Sequence, residues 1–239
     1  MSIHLVGGGA SPDPAPEVYG AFLIEAAARA ASVGRDPARI AIITVRDGAD
    51  ATHSDTLVAL LSAAGEFDAH ATVIDHGDEL APRALADVDG IVVGGGLTPA
   101  YLDAVMPHAL ELRRQVADGV PYLGFSAGAM IAADRAVIGG WQVGGVPVAP
   151  EDASEDLDEL TVQQGVGLVD VSIDVHAAQW GTLSRLVAAA EAGLVDGGLA
   201  IDEDTVLVVG EGGLTVSGAG SVWRVIPAES GVIVSTLGA

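Results

Sequence analysis

The chain has 239 residues, half of them hydrophobic and only 4% aromatic, with 32 glycines and no cysteine. Ten basic residues, all arginine, face 33 acidic ones and give a net charge of −23, a field that repels nucleic acid and anionic membrane surfaces. Without cysteine there is no disulfide, no thiolate catalysis and no Cys-ligated zinc, so a nucleophile in this chain has to be an oxygen.

The length suits one α/β domain over residues 1–239. Short β-branched runs alternate with Ala-rich stretches of helical period, the pattern of βαβ units feeding a parallel sheet. Strands are predicted at Ile3 to Val6, Ile40 to Val45, Ala71 to Ile74, Gly90 to Val93 and Pro121 to Gly124. Helices are predicted between them at Val18 to Val33, Ser54 to Ala64, Ala100 to Asp118 and Ala127 to Arg135. Gly7-Gly-Gly9 follows the first strand, but Pro12 occupies the place of a third glycine in a dinucleotide fingerprint, so no nucleotide cofactor is expected. The opening residues lack the basic start and long apolar run of a signal peptide, and no stretch approaches the roughly 20 apolar residues of a membrane span, so a soluble cytoplasmic protein is expected.

From Val137 to Val171 the pattern loosens into a Gly-rich and acidic surface excursion. Its run from Glu151 to Glu159 reads as solvated, with a second use as a screen at a pocket rim. The sequence leaves open whether residues 139–165 form a lid, with Trp141 and Gln163-Gln164 as candidate pocket residues. Val171 to Val175 reads as a further strand and Thr182 to Ala192 as a helix. Val206 to Val209, Leu214 to Val216, Val222 to Ile226 and Val232 to Ser235 read as an antiparallel finish.

The strongest chemical signal is Tyr122-Leu-Gly-Phe-Ser-Ala-Gly-Ala129, a strand entering Gly-x-Ser-x-Gly and then a helix. Such a turn needs small flanking residues, supplied by Gly124 and Gly128, and lifts the hydroxyl of Ser126 clear at a helix N-terminus. The N–H of Ala127 is the natural first oxyanion donor. One βα unit earlier, Ile91-Val-Val-Gly-Gly-Gly96 offers a second donor, Gly96 before Gly95. A serine hydroxyl needs a base, and six histidines are available at positions 4, 53, 70, 76, 108 and 176. His176 is favoured because Asp174-Val-His176 ends a strand, where parallel-sheet enzymes keep reactive side chains. Ile201-Asp-Glu-Asp-Thr205 offers three carboxylates to orient that base.

Taken together, the glycine loop at 94–96, the Ser126 elbow, Asp174-Val-His176 with Arg185-Leu186, Leu199-Ala-Ile-Asp-Glu-Asp-Thr205 and Gly218-Ala-Gly-Ser-Val222 resemble the cyanophycinase and aspartyl dipeptidase (peptidase E) family in residue type and order. The resemblance implies a class I glutamine-amidotransferase-like fold: three-layer, doubly wound and flavodoxin-like, with a mostly parallel sheet. It also implies a serine peptidase with a triad in the chain order Ser, His, Glu. Carried over, Ser126 is the nucleophile, His176 the general base and Glu203 the orienting acid, with Asp202 and Asp174 as fallback acids. Gly96 and Ala127 then form the oxyanion hole. The family implies no metal or organic cofactor, a small peptide substrate such as an aspartyl or isopeptide-linked dipeptide, and a homodimer. A catalytically silent relative, an esterase or amidase, and a cyanophycinase acting on β-Asp-Arg polymer are the alternatives. Departures are also legible: Ala177, Trp180 and Thr182 stand where cyanophycinase-like members carry Phe and two Arg, and Leu97 stands where peptidase E members carry Asn. Recognition of an aspartate would need a cation at the pocket, for which Arg46, Arg135 and Arg185 are candidates.

Overall fold

Alternation of side chains along the strands builds the centre of the molecule, for which the computed structural model describes residues 2–13 and 15–238. The first half consists of β1 (Ser2–Val6), α1 (Ala15–Ser32), β2 (Arg39–Val45), α2 (Thr52–Ala64), β3 (Asp68–Ile74), β4 (Gly90–Val93), α3 (Thr98–Val105), α4 (Ala109–Ala117), β5 (Tyr122–Phe125) and α5 (Ala127–Met130). The five strands β1 to β5 run parallel in the order β1-β5-β4-β2-β3. On β2, Ile40 and Ile42 pack with Phe22, Leu57 and Leu61 of α1 and α2. The intervening Ala41, Ile43 and Val45 pack on the other face with Tyr101, Leu102 and Leu112 of α3 and α4. Period-two alternation within a single strand therefore feeds two cores, which is the three-layer arrangement. Each wholly buried Leu or Ile contributes about 1.5–3 kcal/mol through removal from water.

The second half adds β6 (Arg135–Gly139), β7 (Gln142–Val143), β8 (Val146–Pro147), β9 (Thr161–Gln164), β10 (Ser172–Val175), α6 (Leu183–Glu191), β11 (Gly198–Ile201), β12 (Thr205–Gly210), β13 (Gly213–Gly218), β14 (Val222–Pro227) and β15 (Val232–Leu237). The antiparallel finish is present, but it is divided between two sheets. β12 pairs antiparallel with β1 and with β13, completing a seven-stranded sheet. β14 and β15 extend β10 and β11 into a separate four-stranded sheet.

Three sequence expectations are corrected. The helix predicted from Ala127 to Arg135 stops at Met130, because the chain turns at Ile131 to Ala133 and enters β6. Residues 127–133 are buried, so their unbroken small apolar character records envelopment by the core and not a helical face. The helix predicted from Ala100 to Asp118 is interrupted by a 3₁₀ turn at Met106–His108, where Pro107 cannot donate to a continuous helix. Part of the predicted surface excursion is core: Val137 and Ile138 of β6 are buried. Among the described residues no helix is long and apolar enough to cross a membrane.

Candidate active site

The elbow forms because its glycines have no room for anything larger. A Cβ on Gly124 would lie 2.4 Å from the carbonyl oxygen of Gly128, and one on Gly128 would lie 2.1 Å from that of Val93. Between β5 and α5, Ser126 adopts φ 52° and ψ −111°, a left-handed conformation strained for a residue with a side chain. Its own N–H donates to the carbonyl of Val6 at 2.9 Å, which ties the turn to β1. Because α5 has only four residues, the expected helix dipole is short. The usable positive charge is therefore that of individual backbone N–H groups. Among the described residues neither Ala127 nor Gly96 has its N–H engaged by a protein acceptor.

Ser126 Oγ lies 2.9 Å from His176 Nε2, and His176 Nδ1 lies 2.7 Å from Glu203 Oε1. An ionised Glu203 can only accept, so the neutral imidazole carries its proton on Nδ1 and presents the Nε2 lone pair to the hydroxyl. Burial holds His176 below the usual histidine pKa, against the hydrogen bond and charge of Glu203, which act to raise it. A hydroxyl in this setting can pass its proton to the ring as it attacks.

The two fallback acids are committed elsewhere. Asp174 is wholly buried and accepts from Arg185 Nε at 2.9 Å and Nη2 at 2.6 Å. Asp202 accepts from the N–H groups of Ala178 and Ser221 and from the indole of Trp223, which welds the 176–180 turn to β11 and β14. Of the other carboxylates offered by the 201–205 run, Asp204 accepts from the N–H of Ser11.

The Gly7-Gly-Gly9 run serves the same site. His176 N–H donates to the carbonyl of Gly7 at 3.0 Å, and a Cβ on Gly8 would lie 2.1 Å from His176 Cε1. The glycines are needed for close approach of β1 to the imidazole; this had no local signature, since the contact spans 168 positions of sequence, from 8 to 176.

A pocket of about 400 Å³ opens on Ser126 and His176 and is walled by Arg46, His53, Gly96, Glu155 and Trp180. His53 was one of six undifferentiated histidines in the sequence. Its Nε2 accepts the N–H of Gly95 at 3.0 Å, so Gly95 is occupied and Gly96 is left as the loop's available donor. Burial, and then the charge of Arg46, push His53 down to about 4, keeping it a neutral acceptor. Tyr101 pins the same loop by donating to the carbonyl of Gly95 at 2.8 Å. Of the three candidate cations, Arg46 alone lines this pocket. Arg185 is buried on Asp174, and Arg135 donates to the carbonyl of Leu194 at a distance from the elbow. The acidic run does reach the site, since Asp152 to Asp156 form one wall, whereas Trp141 and Gln163-Gln164 do not line it. Glu155 accepts from the N–H of Thr98 at 2.8 Å, and its burial raises its pKa. Among the described residues no three His, Asp or Glu side chains converge to hold a metal ion.

The model of peptidase family S51 matches residues 60–217, a span that holds Ser126, His176 and Glu203. The chain belongs to peptidase family S51. A cyanophycinase of Synechococcus elongatus is 31% identical over 191 residues, 79% of this chain and 49% of that protein. The chain thus spans about half the length of that relative. A peptidase E of Shewanella denitrificans is 35% identical over 86 residues, covering 35% of this chain and 36% of the relative. Among solved structures, a peptidase from an acI-B1 actinobacterium superposes with a TM-score of 0.63 at 18% identity, covering 100% of this chain and 96% of its own. A protein of Listeria monocytogenes EGD-e assigned to peptidase E gives 0.59 at 14% identity, with 92% and 99% covered. At these identities the structural likeness establishes the S51 fold and no more.

Proposed function

We propose that this S51 member is a serine peptidase that hydrolyses small peptides bearing an aspartate, through Ser126, His176 and Glu203. The observation that carries the reading is the continuous hydrogen-bonded path from the Ser126 hydroxyl through both ring nitrogens of His176 to the Glu203 carboxylate. In this mechanism Ser126 Oγ attacks the amide carbonyl and His176 Nε2 takes the hydroxyl proton, then returns it to the leaving amine. Glu203 fixes the tautomer and offsets the imidazolium charge. The N–H groups of Gly96 and Ala127 hold the oxyanion, and water, deprotonated by the same histidine, releases the acid.

The preference for a carboxylate rests on Arg46. A Cβ on Gly96 would lie 2.2 Å from Arg46 Nη1, so the guanidinium covers the oxyanion loop itself. Among the described residues it makes no ion pair, unlike the guanidinium groups of Arg35, Arg39, Arg114 and Arg185. A planar fork of donors beside the scissile bond suits the side-chain carboxylate of an aspartate next to that bond.

The test is hydrolysis of α-Asp-X, β-Asp-Arg and neutral dipeptides by wild type and by Ser126→Ala. Turnover of the aspartyl peptides that disappears in the variant is the expected result. Turnover of neutral peptides alone would remove the role of Arg46, and turnover that persists in Ser126→Ala would remove the nucleophile.

A further inference from the structure

One turn of chain after His176 brings an aromatic ring back over it. Trp180 N–H donates to the carbonyl of His176 at 2.9 Å. The turn is anchored along its length: Ala177 N–H donates to the carbonyl of Ile201 at 3.1 Å, Ala178 N–H to Asp202 at 3.0 Å, and Gln179 Oε1 accepts from the N–H of Glu203 at 3.0 Å. The result is an indole lying flat on the imidazole, with ring centroids 3.8 Å apart and planes within 5°. Trp180 is 45% exposed, so it is not held there by burial in the core. Both side chains line the pocket that opens on Ser126.

We propose that Trp180 is a positioning residue, whose indole face clamps the His176 ring in the plane joining Ser126 to Glu203 and stabilises the charge the ring gains in the reaction. The inference rests on the reading of His176 as the base. As Ser126 Oγ bonds to the carbonyl carbon, its proton forms the Nε2–H bond and the neutral ring becomes an imidazolium; that proton leaves with the amine, and the indole is unchanged throughout. The face of an indole carries negative quadrupole charge and attracts a cation stacked on it.

Other groups act on the same ring. Ser126 faces Nε2 and Glu203 faces Nδ1, while Asp174 and Arg185, of opposite charge, act from β10 and α6. Arg46, Glu155 and Asp156 share the pocket. The indole also excludes water, which alone disfavours the cation, so the two effects move the acid limb in opposite directions. Leucine at 180 removes the quadrupole and keeps only part of the cover, and water admitted over the ring would raise the acid limb where loss of the quadrupole lowers it; phenylalanine keeps an aromatic face.

Trp180 can be followed without a substrate. Trp180 is isolated, with Trp223 left on Asp202, by subtracting the emission of Trp180→Phe from that of the wild type. Its emission should fall in one step as the pH is lowered through the titration of His176, because a protonated imidazole in face contact quenches indole, and the step should vanish in His176→Asn. In the otherwise native protein, Trp180→Leu should slow labelling of Ser126 by a fluorophosphonate about tenfold and move the acid limb of that labelling to lower pH, with Trp180→Phe restoring both. Emission that ignores pH, or a step that survives His176→Asn, would overturn the stack. A Trp180→Leu protein labelling like wild type at every pH would overturn the role. Absence of labelling in the wild type would contradict the serine mechanism instead, and the emission titration would still decide whether the stack exists.

Discussion

Arg185 holds Asp174 through two hydrogen bonds of 2.6 and 2.9 Å in a place where both side chains are buried. The same guanidinium donates to the carbonyl of Ala153 at 2.5 Å, so one ion pair joins the strand that carries His176 to the acidic wall of the pocket. Removing the cation leaves a buried carboxylate whose remaining donor is the N–H of Val175. Arg185→Ala should therefore lower the stability to urea by about 3–5 kcal/mol, whereas a surface arginine such as Arg114, changed to Ala, should leave the denaturation curve nearly unmoved. Equal losses in the two denaturation curves would contradict this account of the pair.

Gly8→Ala tests the approach of β1 to the imidazole. A methyl group there meets His176 Cε1 at 2.1 Å and forces a residue with a side chain to φ +95°. The ring must move by an ångström or so, and a displacement of that size costs about 100-fold in rate. Activity should fall by about that factor while circular dichroism keeps its native form. Full activity in Gly8→Ala would show that the ring tolerates displacement.

His53→Gln and His53→Ala should separate. The Gly95 N–H needs an acceptor, which Gln can supply and Ala cannot, and a loosened loop misplaces the Gly96 donor beside it. The expected loss is about tenfold in kcat for Ala, with KM little altered, and partial recovery for Gln. A pure KM effect in both variants would make His53 a pocket wall and nothing else.

Arg46→Gln should cut the preference for aspartyl over neutral dipeptides by about ten- to 100-fold, the range for a charge-assisted hydrogen-bonded pair. An unchanged ratio of kcat/KM values would move carboxylate recognition elsewhere.

The acid limb of kcat/KM should fall below the ordinary histidine value of about 6.5. His176 must be neutral to accept the serine proton, and its lowered pKa keeps it neutral to lower pH than a free imidazole. The linked effect on stability has the same direction. The unfolded chain binds that proton more readily, so the stability present above about pH 6.5 is lost as the pH falls through and below that value.

These sites differ in how far the sequence displays them. The elbow is local: Gly124, Ser126 and Gly128 within five residues specify a strand and a strained turn, and the turn forms as read, with its hydroxyl buried against His176. Asp174-Val-His176 is legible for a similar reason, because a strand's end fixes where the side chain emerges. Among three adjacent carboxylates the residues themselves leave the choice open, and the resemblance alone points to Glu203; in the fold Asp202 takes the N–H groups of Ala178 and Ser221 and Asp204 that of Ser11, while Glu203 faces His176. Gly7 to Gly9 suggest at most a failed nucleotide loop, and their purpose appears only when the end of β10 brings His176 onto the carbonyl of Gly7. The second sheet was hidden because β11, Gly198–Ile201, is four residues long and carries no alternation. Trp180 registered as a departure from the family pattern, and its use depends on a turn whose closure no residue type announces.

The most direct measurement is fluorophosphonate labelling followed by mass mapping in wild type, Ser126→Ala, His176→Ala and Glu203→Gln. The hydrogen-bonded path from Ser126 to Glu203 predicts a single adduct on the peptide containing Ser126, absent from Ser126→Ala and slowed in the other two, most in His176→Ala. An adduct on another residue, or labelling that proceeds unchanged without Ser126 or His176, would contradict it.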